Sequence, residues 1–232
     1  RRDEFLGVLA ARPASTWERI VIAEVREPRH RPYQGRTVAE LARARSMPPA
    51  AFALDFLAAD GGRVGAIFHA MSPANLERIL ARDWVMIASD AGCRAPGDGL
   101  GDGLPHPRAF GTFVRVLGPL VRDSRLFGLE TAVRKMTADP CRRLGLADRG
   151  RLAPGFHADV VLFDPARVRD TATYGNPWSF PEGIDAVLVN GKIVVAGGAP
   201  TGARPGRVVR RGRVSAPPGA LVPAGLPAIT GG

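Results

Sequence analysis

The run Trp84-Val85-Met86-Ile87-Ala88-Ser89-Asp90 is short and apolar, and it ends abruptly in Ser-Asp. A loop rich in Gly and Pro follows, reaching Pro105-His106-Pro107-Arg108. A strand that hands a carboxylate to a polar loop at its C-terminal end is how parallel α/β barrels place catalytic groups. The run therefore predicts a barrel strand closing on Asp90. An absence constrains the chain as much: it contains no His-x-His and only 4 histidines. The pattern looks like part of a metal-dependent site without the imidazoles that would complete it.

With 232 residues, 45% of them hydrophobic, the chain can bury a packed core as one large domain or two small ones. Its net charge of +10 raises the question of nucleic acid, yet of 32 basic residues only Lys135 and Lys192 are lysine. Beyond Asp185 there is no acidic residue, while Lys192, Arg204, Arg207, Arg210, Arg211 and Arg213 are basic. No aromatic residues are interleaved with this tail to stack on bases, so a solvated basic tail is favoured over nucleic-acid binding. Cys93 and Cys141 form neither a disulfide framework nor a zinc motif, which points to a reducing cytoplasm. No stretch approaches the roughly 18 apolar residues of a membrane span, and Arg1-Arg2-Asp3-Glu4 lacks the apolar core of a signal peptide.

Along the chain, Arg19 to Val25 reads as a buried strand. Thr37-Val38-Ala39-Glu40 has capping-box spacing for a helix start. A second helix is expected from Pro49 to Gly61-Gly62 with Phe52, Phe56 and Ala59 on one face. A short strand from Val64 to Phe68 leads to His69. Ser72 and Pro73 then start a helix whose Leu76, Ile79 and Leu80 form an apolar stripe. Residues 91 to 107 are expected to be an exposed loop. Phe110 to Arg122 reads as helical with an interruption near Gly118-Pro119. Leu129, Ala132, Val133 and Met136 recur at amphipathic spacing, and Asp139-Pro140 caps and starts a short helix to Leu144.

From Gly150 the character turns to β. Ala158 to Asp164 is a strand, and Asn190-Gly191 between two apolar runs predicts a type I′ hairpin over residues 186 to 195. Residues from about 215 to 232, which carry no charge, read as a disordered tail. There is no internal repeat.

The order of these elements, with Met71-Ser72, Ser89-Asp90, Pro105-His106-Pro107-Arg108 followed by Gly111-Thr112-Phe113, Ala132-Val133-Arg134-Lys135-Met136-Thr137, the Gly155 to Phe163 stretch and Thr201-Gly202-Ala203-Arg204-Pro205-Gly206-Arg207, resembles the C-terminal half of the amidohydrolase superfamily. More narrowly it resembles the N-acyl-D-amino-acid deacylases. The resemblance covers about residues 16 to 211. Gly-x-x-Ala-Asp and Val-Asn-Gly are shared widely, whereas Pro-His-Pro-Arg-x-x-Gly-Thr and Thr-Gly-x-Arg-Pro-Gly are much narrower.

The resemblance implies an α/β fold: the C-terminal part of a metal-dependent (β/α)8 barrel followed by strands of a small β-sandwich. Residues 1–148 would be barrel, including a lid-like helical insertion at about 33–81. Residues 149–214 would be sandwich strands, and 215–232 the tail. It implies hydrolysis of the amide of a small N-acyl amino acid by a zinc-activated water, since zinc lowers the pKa of bound water and a neighbouring carboxylate can move its proton. Asp90 matches the family's aspartate that serves as this base and touches the metal. Arg108, and His106 beside it, sit where a guanidinium can grip the substrate's α-carboxylate. The alternatives are a structural ion pair for Arg108 and a turn-shaping role for His106.

The sequence also departs from the family. The expected His-x-His, a cysteine and two later histidines have no counterparts, so most zinc ligands are expected from a missing N-terminal part of the same enzyme. The chain alone is expected to be inactive. The rival readings are another amidohydrolase acting on a cyclic amide, and a non-catalytic remnant. His69 reads as a core histidine with a place at the site as the alternative, and His30 and His157 read as surface groups. Cys93 lies close to Asp90 without an evident base to activate it, and Cys141 reads as packing.

Overall fold

A computed structural model describes residues 2–96 and 103–210. Residues 97–102 of the expected loop and the tail expected from 215 lie outside the described residues. The chain divides into two compact units. The first is Arg1–Leu80, Ser89–Arg115 and Asp170–Pro181; the second is Ala81–Ala88, Val116–Arg169 and Glu182–Gly232.

In the first unit, α1 (Arg2–Ala10) and α2 (Ala14–Glu18) precede β1 (Ile20–Glu24), which a 3-10 turn at Pro28–Tyr33 follows. Next come α3 (Val38–Arg43), α4 (Pro49–Ala59), β2 (Gly65–Phe68), α5 (Pro73–Leu80) and α6 (Arg108–Arg115). β1 and β2 pair antiparallel, with Ile20 opposite Phe68 and Ile22 opposite Ala66.

The helix starts follow their local signals. The Thr37 hydroxyl accepts the Glu40 N–H at 3.1 Å, and the Glu40 carboxylate accepts the Thr37 N–H at 3.0 Å. This is the reciprocal cap expected from the sequence. The core of the unit gathers Trp17, Ile22, Val38, Leu41, Ala42, Ala50, Phe52 and Phe56. Each fully buried Phe or Leu is worth about 1.5–3 kcal/mol by removal from water. On α4 the buried face runs from Phe52 to Phe56 and on to Asp60, one i+4 step further, which leaves Ala59 exposed rather than on that face.

The expected stripe of Leu76, Ile79 and Leu80 lies on α5 but is largely uncovered: Leu76 is 42% and Ile79 49% exposed, and Leu80 is half-buried. Amphipathic spacing records what a helix is able to bury, and little described in this unit covers that face. Residues 84 to 90, expected as a barrel strand, carry no strand pairing. A strand needs a neighbouring backbone to bond, whereas the Ile87 N–H bonds the Lys135 carbonyl at 3.1 Å.

The second unit begins with a π-helical stretch, Val116–Asp123, then α7 (Leu129–Met136) and α8 (Ala138–Leu144). Pro119 does not interrupt the first of these as expected. Its carbonyl accepts the Ser124 N–H at 2.9 Å, the wider i→i+5 turn of a π-helix. Within α7 the buried positions are Ala132 and Lys135, while Val133 of the expected stripe is exposed. Asp139 lies inside α8, not at its cap, which is Thr137.

β3 (Val160–Phe163), β4 (Ile184–Val189), β5 (Lys192–Ala196) and β6 (Ala199–Pro200) form an antiparallel sheet in chain order. The expected hairpin is present: Asn190 and Gly191 have φ of 48° and 77°. Gly183, at φ +79°, lies against the Val168 backbone so closely that a Cβ would sit 2.5 Å from the Val168 nitrogen.

Candidate functional site

The three residues singled out by sequence share the first unit, and the structure brings them together. The Arg108 guanidinium lies 3.1 Å from the Asp90 carboxylate. Asp90 itself has φ 49°, in the left-handed region. A short polar side chain tolerates this conformation better than most, and such outliers concentrate at functional positions. The Asp90 side chain is 88% and the Arg108 side chain 44% exposed. An ion pair this open to water contributes about 0–1 kcal/mol, so another carboxylate can take the place of Asp90 on the Arg108 guanidinium at little cost.

Arg108 is the first residue of α6, and its position is set by hydrogen bonds on both sides of it. Its backbone N–H donates to His106 Nδ1 at 3.0 Å, and its carbonyl accepts the Thr112 hydroxyl at 2.9 Å. The first N–H groups of a helix lack partners inside it, and the His106 ring supplies one. The loop ahead of it is fixed to β1, where the Leu104 N–H donates to the Ala23 carbonyl at 2.7 Å. The Trp178 indole N–H donates to the Gly103 carbonyl at 2.9 Å. A Cβ on Gly103 would sit 2.9 Å from the Ala23 carbonyl oxygen.

His106 Nε2 lies 3.2 Å from the Tyr174 hydroxyl. Tyr174 also packs edge-on against both the His69 ring, with centroids 4.5 Å apart, and the His106 ring, at 5.1 Å. His69 is thus half-buried beside Tyr174, not in the core. Burial pushes the His106 imidazole below its ordinary pKa, and the charges of Arg108, His69 and Arg115 push the same way. At α6, Arg115 pairs with the largely buried Asp170 at 3.1 Å. Tyr174 and Asp170 went unnoticed in the sequence, because nothing local in Asp170-Thr171-Ala172-Thr173-Tyr174 marks a site.

Elsewhere in the same unit, His30 is buried against Asp60, contrary to the expected surface position; the partner that draws it inward is 30 residues away. In the second unit His157 lies 3.4 Å from the Asp148 carboxylate. Cys93 and Cys141 are free thiols. Cys141 is half-buried, and burial pushes its thiol pKa up. Also in the second unit, Lys135 is fully buried; its ammonium donates to the carbonyls of Arg82 and, at 3.0 Å, Val85. Burial lowers its pKa.

A protein zinc site takes three or four His, Cys, Asp or Glu ligands. No group of three or more such side chains converges among the described residues. The described residues therefore do not fit zinc by themselves. No helix among the described residues is long and apolar enough to cross a membrane.

Comparison with known proteins agrees with the sequence resemblance. The chain is 49% identical over 147 residues to the N-acyl-D-glutamate deacylase of Alcaligenes xylosoxydans xylosoxydans, covering 63% of this chain and 28% of that protein. The crystal structure of a D-aminoacylase matches with a TM-score of 0.72 at 39% identity, over 83% of this chain and 38% of the other. An N-acyl-D-glutamate deacylase from Bordetella bronchiseptica, complexed with zinc and a phosphonate mimic of the tetrahedral intermediate, matches with a TM-score of 0.67 at 39% identity, over 81% and 37% of the two chains. The chain thus spans less than a third of the length of the deacylase it matches in sequence. The model of the amidohydrolase family matches residues 10–195, and the chain belongs to that family.

Proposed function

We propose that this chain is the C-terminal portion of an enzyme that hydrolyses the amide of N-acyl-D-amino acids, with residues 1–148 its share of the barrel and 149–214 its sandwich strands. The observation that carries the reading is the pairing of Asp90 with Arg108 at 3.1 Å, in a chain 49% identical to an N-acyl-D-glutamate deacylase. Likeness to a D-aminoacylase over 83% of the chain supports the barrel and sandwich assignment.

The chemistry assigned to this chain's own residues is limited and definite. The Arg108 guanidinium takes the substrate's α-carboxylate in a planar, two-point contact. That exchange releases Asp90 from its ion pair. The freed carboxylate accepts a proton from the attacking water and returns it to the leaving amine. His106 holds the Arg108 backbone and contributes no charge in doing so. Zinc enters the proposal only as a group that Asp90 would touch and whose remaining ligands come from elsewhere in the complete enzyme. The isolated chain is accordingly inactive.

The test is a chimera in which this chain replaces the matched segment of the Alcaligenes N-acyl-D-glutamate deacylase. Hydrolysis of N-acyl-D-amino acids is the expected result. A folded chimera that hydrolyses cyclic amides instead, or nothing, would reject the reading.

A further inference from the structure

We propose that Tyr174 is a positioning residue for Arg108 and acts through the His106 ring. The inference rests on the reading of Arg108 as the carboxylate-binding group, and it extends the site to a residue 66 positions further along the chain.

The hydrogen bonds determine the protonation of His106. A backbone N–H only donates, so His106 Nδ1, 3.0 Å from the Arg108 nitrogen, is the unprotonated nitrogen of the ring. The proton of the neutral imidazole is therefore on Nε2. Nε2–H has the Tyr174 hydroxyl oxygen as its acceptor at 3.2 Å. Partner choice at one ring nitrogen sets the proton at the other. The phenol thereby keeps Nδ1 free to receive the Arg108 N–H. Were the ring to carry its proton on Nδ1, that nitrogen would confront the Arg108 N–H donor to donor, and the first turn of α6 would lose its side-chain cap.

Tyr174 is itself held in place. Its ring packs edge-on against the His69 and His106 rings. The turn that bears it is closed by Thr173 N–H to the Asn176 carbonyl at 3.1 Å and Asn176 N–H to the Thr173 hydroxyl at 3.0 Å. Four residues on, Trp178 anchors the segment to the Gly103 carbonyl. A fixed hydroxyl thus sets a tautomer, the tautomer caps a helix, and the helix start carries the guanidinium. Pro107 lies between cap and guanidinium and has no N–H to offer in its place.

The experiment is nitrogen NMR of the histidine rings in the full chain, with His106 assigned by the signals lost in His106→Gln. The expected wild-type spectrum at neutral pH shows His106 protonated on Nε2 and bare on Nδ1. In Tyr174→Phe, which keeps the ring packing and removes only the hydroxyl, the Nδ1–H tautomer is expected to appear. Solvent exchange of the Arg108 amide should then accelerate severalfold, with other α6 amides changing less. A wild-type ring protonated on Nδ1 overturns the proposal, and does so even if Tyr174→Phe fails to fold. A folded Tyr174→Phe with unchanged tautomer and unchanged Arg108 exchange overturns it too.

Titration of the wild-type chain with N-acetyl-D-glutamate tests the underlying reading separately. Shifts at Arg108 that weaken severalfold in Tyr174→Phe are expected. No shift at Arg108 beside an intact tautomer result would reject the carboxylate reading and leave the positioning role standing.

Discussion

His30 Nδ1 donates to the Asp60 carboxylate at 2.8 Å, joining the 3-10 turn after β1 to the residue that ends α4. Asp60 is fully buried and also accepts the backbone N–H groups of Arg26 at 2.7 Å and Glu27 at 3.0 Å. Burial alone would raise its pKa, but these bonds and His30 outweigh it and hold the carboxyl below the usual carboxylate value.

Asp60→Ala leaves three donors without their acceptor. Leaving a buried donor without its acceptor costs about 1–3 kcal/mol, more where the acceptor is charged, and urea denaturation of the variant is expected to show a loss of at least that size. Because the folded pKa is depressed, the stability due to Asp60 is complete above the ordinary carboxylate pKa. It is lost as pH falls through the depressed value. Acid titration of the unfolding free energy should show wild type losing this increment and Asp60→Ala having none to lose.

Two glycine substitutions separate backbone constraint from bulk. Gly183→Ala puts a Cβ 2.5 Å from the Val168 nitrogen at φ +79° and is expected to cost more than about 1 kcal/mol. Gly7→Ala, inside α1 with open space around it, should stabilise by about 0.5–1 kcal/mol. Thermal melts of both variants check the contrast.

His106 is expected to resist protonation. With its pKa lowered by burial and then by Arg108, His69 and Arg115, stability falls with pH from the ordinary imidazole value down to the depressed one and levels off beneath it. The ring signals should titrate below those of a free histidine. His106→Gln should flatten this part of the stability profile.

Dialysed chain is expected to hold far less than one zinc per molecule, because one carboxylate without imidazole or thiolate partners does not make a tight site. Metal analysis after dialysis measures this directly. Stoichiometric zinc would show that a ligand set forms within these residues.

Local backbone demands were legible in the sequence. Asn190-Gly191 required positive φ at two successive positions, and Thr37 with Glu40 could satisfy each other without help from distant residues. Features that depend on partners far along the chain were not. The Trp84–Asp90 run has the composition of a strand but no strand beside it among the described residues, and the α5 stripe has little described cover in its unit. Lys135 looks like the polar face of a helix until the carbonyls of Arg82 and Val85 are seen to enclose it. At the site, Asp90, Arg108 and His106 were found through motif resemblance. Tyr174 was not, since its significance exists only at the 3.2 Å contact with a ring 68 residues earlier.

The central claim is that Asp90 moves the proton in amide hydrolysis while Arg108 holds the substrate. The most direct measurement is kcat and KM of Asp90→Asn in the active deacylase chimera, with an N-acyl-D-amino acid as substrate. An amide in place of the carboxylate keeps the shape of the side chain but cannot take the water's proton. The expected result is a fall in kcat on the order of 10²–10⁴-fold with KM little changed. A variant whose kcat lies within about twofold of the unsubstituted chimera, far short of a general base's contribution, would contradict the assignment.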